Sequence, residues 1–371
     1  MIVEFFLKWA QTAPASERAA AAAALARSFC EDTLSLEDRC AAEGALALLL
    51  DDPSAKVRAA MADALSVSRH APSAVVAALA ADQPDVAAPI LGRSPLLTDG
   101  DLIDCVASAP LGSQLVIAGR PFVSMPVAAA LAEMGDASVA AALLANDGAE
   151  IASVSFRRIT ERHGHLGAIR ERLVADPRLP ADCRHMLLLK LGEALRSAPL
   201  VAGLMGSARA ERVTRDACLR SSVALVEGTP ETEHSALVEH LRLRGELTGS
   251  FVLRLVAHGR VDFFAAVLSA LSGRDLARIH ALLRGGARGS LIALFRKSGL
   301  AAALDAVLLT GLDSWRAVMS RGRQAGVQEV SYAMLGAAKA EEGGEIATLL
   351  KSIHLDALRA NARAHARSLA A

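Results

Sequence analysis

A turn and helix start that recur at a fixed interval constrain this chain more than any other feature. Residues 48–58 read Leu-Leu-Leu-Asp-Asp-Pro-Ser-Ala-Lys-Val-Arg. The Asp52 carboxylate is placed to accept from the open amides of a helix start, and Pro53 falls where no amide is needed. Val57, Ala60, Met61, Ala64 and Leu65 then recur at three-and-four spacing, while Lys56, Arg58 and Asp63 fall off that face. The spacing predicts a helix with one buried side. After a break at His70-Ala71-Pro72, Val75, Val76 and Leu79 mark a second helix, and Ala81-Asp82-Gln83-Pro84 restarts the pattern 30 residues after Asp52. A third Asp, Asp147, closes a similar run 65 residues beyond Asp82, near two further periods. Two helices per period is the mark of an α-solenoid, in which no unit buries its apolar face without a neighbour.

The rest of the chain agrees with a stack of helices. Residues 15–29 and 37–50 form an Ala-rich pair ahead of the repeat, and Phe5, Phe6 and Trp9 read as part of a capping helix docked on it. Thr98 and Asp101 have the spacing of a capping box. Pro89 is expected to kink or shorten its helix. Residues 114–119, 126–134, 137–145 and 150–161 read as four more helices. In the second half Gly245, Gly259, Gly273, Gly286, Gly299 and Gly311 follow one another at intervals of 12 to 14 residues. Each suits the left-handed position just past a helix end. Apolar residues make up 53% of the chain and aromatics only 3%, a core of Ala, Leu and Val that suits close-packed helices rather than sheets.

Asp52-Pro53 with Val57-Arg58, Asp82 with Val86 and Leu91, Ser94-Pro95, Leu102-Ile103, Ile117-Ala118-Gly119-Arg120 and Leu144-Ala145-Asn146-Asp147 together resemble the HEAT-like half of a bacterial family. That family is catalogued as a domain of unknown function, found mainly in alphaproteobacteria. The similarity continues through Gly245-Glu246-Leu247-Thr248, Gly259, Phe263-Phe264 and Arg296-Lys297-Ser298-Gly299-Leu300. What the resemblance implies is a fold, with no catalytic residue to carry over. The expected architecture is all-α, an α-solenoid of HEAT-like helical hairpins followed by a second helical-repeat half. The division expected is residues 1–175, 176–353 and a C-terminal helix or tail at 354–371.

Net charge is zero, yet residues 1–150 hold 9 basic and 19 acidic residues, and residues 151–371 hold 31 and 21. The basic half has its densest stretch at residues 274–297. There Arg284-Gly285-Gly286-Ala287-Arg288-Gly289-Ser290 reads as a turn feeding a helix start, where free amides and guanidinium groups suit a phosphate or carboxylate. Arg278, Arg284, Arg288, Ser290 and Arg296 are the candidate anion-binding residues. A Gly-rich interhelix turn with snorkelling arginines is the plainer reading, because no strand and no phosphate-loop spacing precede it. Nucleic acid ranks below a protein partner, since the basic half has only scattered rings such as Phe251, Trp315 and Tyr332 for stacking.

Enzyme signatures are missing from the sequence: there is no His-Glu-x-x-His, nucleophile elbow or dinucleotide fingerprint. His163-Gly164-His165, the only close histidine pair, lacks an evident third ligand beyond Glu161. His185 and His280, each near helix arginines, have no local pattern that demands a phosphorelay role. Five dispersed cysteines without a Cys-x-x-Cys pair suggest neither disulfides nor zinc. No basic leader and no run of 18 apolar residues is present, so a cytoplasmic protein is expected. The expected function is a noncatalytic protein-protein interaction scaffold or regulatory adaptor needing no cofactor or metal, with self-association left open. The alternatives are an anion- or nucleic-acid-binding solenoid and, less favoured, an enzyme without a recognisable motif.

Overall fold

The structure, a computed structural model, describes residues 9, 12–31, 34–321, 326–340 and 344–370. The expected capping helix falls mainly on residues 1–8, outside the described residues. Among the described residues every regular element is a helix, apart from one parallel bridge between Val123 and Ala149. The chain divides into two compact units, Met1–Leu179 and Pro180–Ala371.

The first unit contains α1 (Ala15–Cys30), α2 (Leu36–Leu49), α3 (Ala55–Leu65), α4 (Ser73–Ala80), α5 (Pro84–Arg93) and α6 (Asp99–Ser108). It continues with α7 (Leu111–Ala118), α8 (Met125–Met134), α9 (Ala137–Leu144), α10 (Ser153–His163) and α11 (Gly167–Ala175). Helices two apart in sequence are neighbours: α1, α3, α5, α7, α9 and α11 stack in succession, and α6, α8 and α10 do likewise. This is the double-layered stacking that a two-helix period requires. In α3 the buried residues are Val57, Met61, Ala62 and Leu65, a face close to the one the spacing marks. The Thr98–Asp101 capping box opens α6 as expected. Pro89, by contrast, lies within α5, which runs on to Arg93.

Asp52 does something other than cap a helix. Ser54 holds the cap position of α3, and the Asp52 carboxylate accepts from the Ser54 amide at 2.8 Å. It also accepts a two-pronged bond from Arg18, one period earlier, at 2.8 and 2.9 Å. Arg58 repeats the device, donating to Asp82 at 2.6 and 3.1 Å and to the Asp52 carbonyl at 2.6 Å. Further on, Asn146 rather than Asp147 occupies the turn. Its amide donates to the Ala118 and Arg120 carbonyls at 2.8 and 2.7 Å, and its oxygen accepts from the Gly148 amide at 2.9 Å. Thirty residues later Asp176 takes the Arg178 amide at 2.8 Å while Arg178 reaches the Ala149 carbonyl at 2.9 Å. Thus the 30-residue period survives as a series of polar links between successive turns.

These links make a measurable, pH-dependent contribution to stability. The Arg18 and Arg58 guanidinium groups hold the Asp52 and Asp82 carboxyls below the usual carboxylate range. Their contribution is therefore present above the unfolded carboxylate pKa and lost as pH falls through the lower folded value. Arg58→Ala strands two acceptors and is expected to lower unfolding free energy by about 1 to 2 kcal/mol, read from urea denaturation at neutral pH. An unchanged midpoint would show that water replaces the link without loss.

The second unit contains α12 (Ala181–Ser197), α13 (Pro199–Met205), α14 (Ser207–Glu227), α15 (Glu231–Leu243), α16 (Gly249–Ala257) and α17 (Val261–Ser272). It ends with α18 (Leu276–Gly285), α19 (Arg288–Lys297), α20 (Asp305–Arg321), α21 (Val327–Ala340) and α22 (Gly344–Ala370). Residues 354–371 thus begin within α22 rather than at a helix start. Helix α16 is the axis of this unit. All residues from Phe251 to Ala257 are buried, and α14, α17, α20, α21 and α22 pack on it. Gly245, Gly259, Gly273 and Gly299 take the left-handed conformation expected of helix ends, with φ between 66° and 74°. Gly286 and Gly311 do not. Gly311 lies inside α20, where a Cβ would come within 2.7 Å of Val256 and 2.9 Å of Met334. Its smallness lets α20 approach the central helix.

Candidate functional site

The Arg/Gly turn connects α18 to α19. Asp275 caps α18 through the Arg278 amide at 3.1 Å, and Arg278, Arg284, Arg288 and Ser290 are exposed around the two helices. The Ser290 amide bonds to the Ala287 carbonyl at 3.0 Å. Arg288 donates to Asp313 of α20 at 3.2 Å, and Arg296 pairs with Asp305 at the start of α20. Arg316 of α20 caps the carbonyl end of α18, donating to the Leu283 and Leu282 carbonyls at 2.7 and 2.9 Å. The structure therefore brings Arg288 and Arg296 onto α20 carboxylates and leaves Arg278 and Arg284 on the surface of α18.

A different constellation forms where α12, α14 and the α15–α16 turn meet. Asp182 and His185 are polar residues on the buried side of α12. His185 is fully enclosed, with Nδ1 3.2 Å from His240 Nε2 of α15 and Nε2 3.0 Å from Ser222 Oγ of α14. Glu246, on the turn after α15, approaches the same Nε2 at 3.3 Å. A carboxylate only accepts, so His185 Nε2 carries hydrogen, and its Nδ1 and His240 Nε2 share a single proton between them. Ser222 gives its own hydrogen to the Cys218 carbonyl at 2.9 Å. Protonated at Nε2, His185 is not placed to deprotonate Ser222. The arrangement is a clamp that joins three helices and a turn.

The turn is built for this. Gly245 at φ 69° reverses the chain after α15, the Glu246 amide reaches back to the Leu241 carbonyl at 2.9 Å, and Thr248 caps α16 by accepting from Phe251. Glu246 is thereby held at the clamp. Desolvation, and next the neighbouring His185, push the His240 pKa down to about 4; Arg244 lowers it further, while Asp182 and Glu246 oppose this. Burial also lowers His163 and His258. A histidine kept neutral in the fold takes up its proton more readily when unfolded, so stability rises with pH across that window. Acidification from about 6.5 to about 4 is expected to lower the urea midpoint progressively. In His240→Asn the decline should be shallower, and an identical profile would remove His240 from the account.

Next to the clamp lies a cavity of about 510 Å³, lined among others by Ser222, Cys218 and Thr214 of α14, Arg196 of α12, and Arg244 and Glu246. Burial raises the Cys218 thiol, which is therefore neutral at pH 7. Above the cavity the outer halves of α12 and α14 run antiparallel and touch closely. A Cβ at Gly192 would stand 2.6 Å from Cys218 Sγ. Helix α13 closes this hairpin and buries none of its residues, though its sequence is Pro-Leu-Val-Ala-Gly-Leu-Met. Leu200 and Leu204 are 73% and 77% exposed, and Leu191, Leu195, Met205 and Val213 are exposed beside them. Leu188, Leu191 and Leu195 follow the three-and-four spacing of a helix-packing seam.

Sequence reasoning passed over both features. The clamp residues are up to 61 positions apart; His185 and the turn Gly245-Glu246-Leu247-Thr248 stood out locally, but nothing in the sequence joined them. Among the described residues no cluster of three or more His, Cys, Asp or Glu is placed to hold a metal, and no helix is long and apolar enough to cross a membrane. His163 instead approaches the Gly135 carbonyl at 3.4 Å. Comparison with curated proteins and with solved structures found no match. A family model does match residues 86–343, which take in the later repeats of the first unit, the clamp and the Arg/Gly turn. The chain therefore belongs to the family described as an uncharacterised protein conserved in bacteria, DUF2336.

Proposed function

We propose that the protein is a noncatalytic interaction scaffold or regulatory adaptor, and that the α12–α14 hairpin is where it grips another protein. The observation that supports this reading is the number of exposed leucines on one hairpin: Leu191, Leu195, Leu200 and Leu204 spend hydrophobic surface on solvent. Scattered exposed leucines are ordinary, but a cluster on one projecting element marks an interaction surface. The seam spacing on α12 suits an apolar helix from the partner, laid alongside and held by three-and-four contacts. The clamp gives the hairpin a fixed base from which to present that seam.

Affinity capture from the source cells, with and without nuclease, tests the proposal against nucleic-acid binding through the basic half. A stoichiometric protein that survives nuclease, and that is lost from a variant carrying Leu191→Glu and Leu195→Glu, supports it. Partners that disappear with nuclease, or that ignore the leucines, count against it.

A further inference from the structure

The cavity beneath the hairpin has a chemical character of its own. The side chains of two of its arginines, Arg196 near the end of α12 and Arg244 just after α15, make no hydrogen bond or ion pair among the described residues. The third lining arginine, Arg215, is occupied by Glu211 at 2.6 Å. Of the two lining carboxylates, Glu246 is turned toward His185 at 3.3 Å, which leaves Glu193. Arg196 and Arg244 thus line the cavity as guanidinium groups with no carboxylate in hydrogen-bond reach. Guanidinium groups present paired donors matched to phosphate and carboxylate oxygens. Inside, the surface is neutral: the Cys218 thiol is protonated at pH 7, and Thr214 and Leu189 add a hydroxyl and an apolar wall. A volume of about 510 Å³ lies within the range of small-molecule sites.

We infer that this cavity binds a small organic anion, with its phosphate or carboxylate head between Arg196 and Arg244 and its uncharged body against α14. Arg196 belongs to the hairpin and Arg244 to the turn side, so the bound anion fastens one to the other. The Arg/Gly turn takes no part, because its residues lie on α18 and α19.

The test is calorimetric titration of the full chain with four probes: inorganic phosphate, adenosine monophosphate, glucose 6-phosphate and citrate. At least one of the three organic anions is expected to bind more tightly than inorganic phosphate. Arg196→Gln and Arg244→Gln should each weaken that binding about tenfold, while Arg284→Gln leaves it unchanged. Both arginines are exposed, so thermal unfolding curves like that of the wild type will certify the fold of the variants. Binding of the phosphate esters assigns the head group as phosphate, and binding of citrate alone assigns it as carboxylate. No heat from any probe, or equal affinity in the double variant, would overturn the inference.

Discussion

Replacing Asp216 by alanine is expected to lower the stability of the second unit by about 3 kcal/mol. Arg254 lies on the central helix α16 and is only 2% exposed, yet it carries a guanidinium group. Its Nη2 donates to Asp216 of α14 at 2.6 Å, while its Nε is buried without a partner. Burial pulls the Arg254 pKa down and the nearby Asp216 carboxylate raises it again, so the side chain depends on this ion pair. Removing the carboxylate leaves a charge in the core facing Arg220 at the same site. The low end of the range for broken buried pairs applies, since Asp216 is itself 41% exposed and water reaches it. A double variant, Arg254→Met with Asp216→Leu, should recover most of the loss, because an apolar pair of similar volume has no desolvation cost to offset. Urea unfolding of the two variants decides the matter. Equal instability in both would mean that shape, not charge, holds α16 in place.

The second large effect concerns the hairpin. Leu191 and Leu195 lie one turn apart on α12 and are exposed in the isolated chain. Burying a leucine against a partner contributes about 1.5 to 3 kcal/mol, and a glutamate in its place must either be desolvated or hold the surfaces apart. Two such changes should weaken partner binding at least a hundredfold. The same changes should leave the melting temperature nearly unaltered, because neither side chain belongs to the core. This split between binding and stability is what separates a docking surface from a poorly packed helix.

Local order in the chain made the helical layout readable. Three-and-four spacing located α3 nearly to its end, Pro and Gly breaks bounded α8 and α9, and the capping box at Thr98 placed the start of α6. Four of the six regularly spaced glycines adopt the backbone conformation expected of them. Where the reading strayed, a distant partner decided the outcome. Asp52 has the local look of a helix cap, but Arg18 lies 34 residues away and takes its carboxylate. Gly311 looks like a helix end and is instead a contact point for α16. Arg254 has the look of one more surface arginine on an amphipathic helix, yet it is buried on a helix that five others pack against. The clamp was hidden for the same reason, since His185, Ser222, His240 and Glu246 meet only after α12, α14 and α15 have packed. The Arg/Gly turn was visible because its residues are consecutive. Its ion pairs with Asp305 and Asp313 were not.

The central claim is that the apolar hairpin tip docks another protein, and site-specific cross-linking tests it most directly. A photoreactive residue placed at Leu195 in the full chain, irradiated in the source cells, should join the protein to one discrete species of defined mass. The same residue at Arg284 should yield none. The Leu191→Glu change in the same chain should abolish the product. A diffuse set of products equal from both positions, or a product from Leu195 that Leu191→Glu leaves untouched, would contradict the assignment of this hairpin as the docking surface.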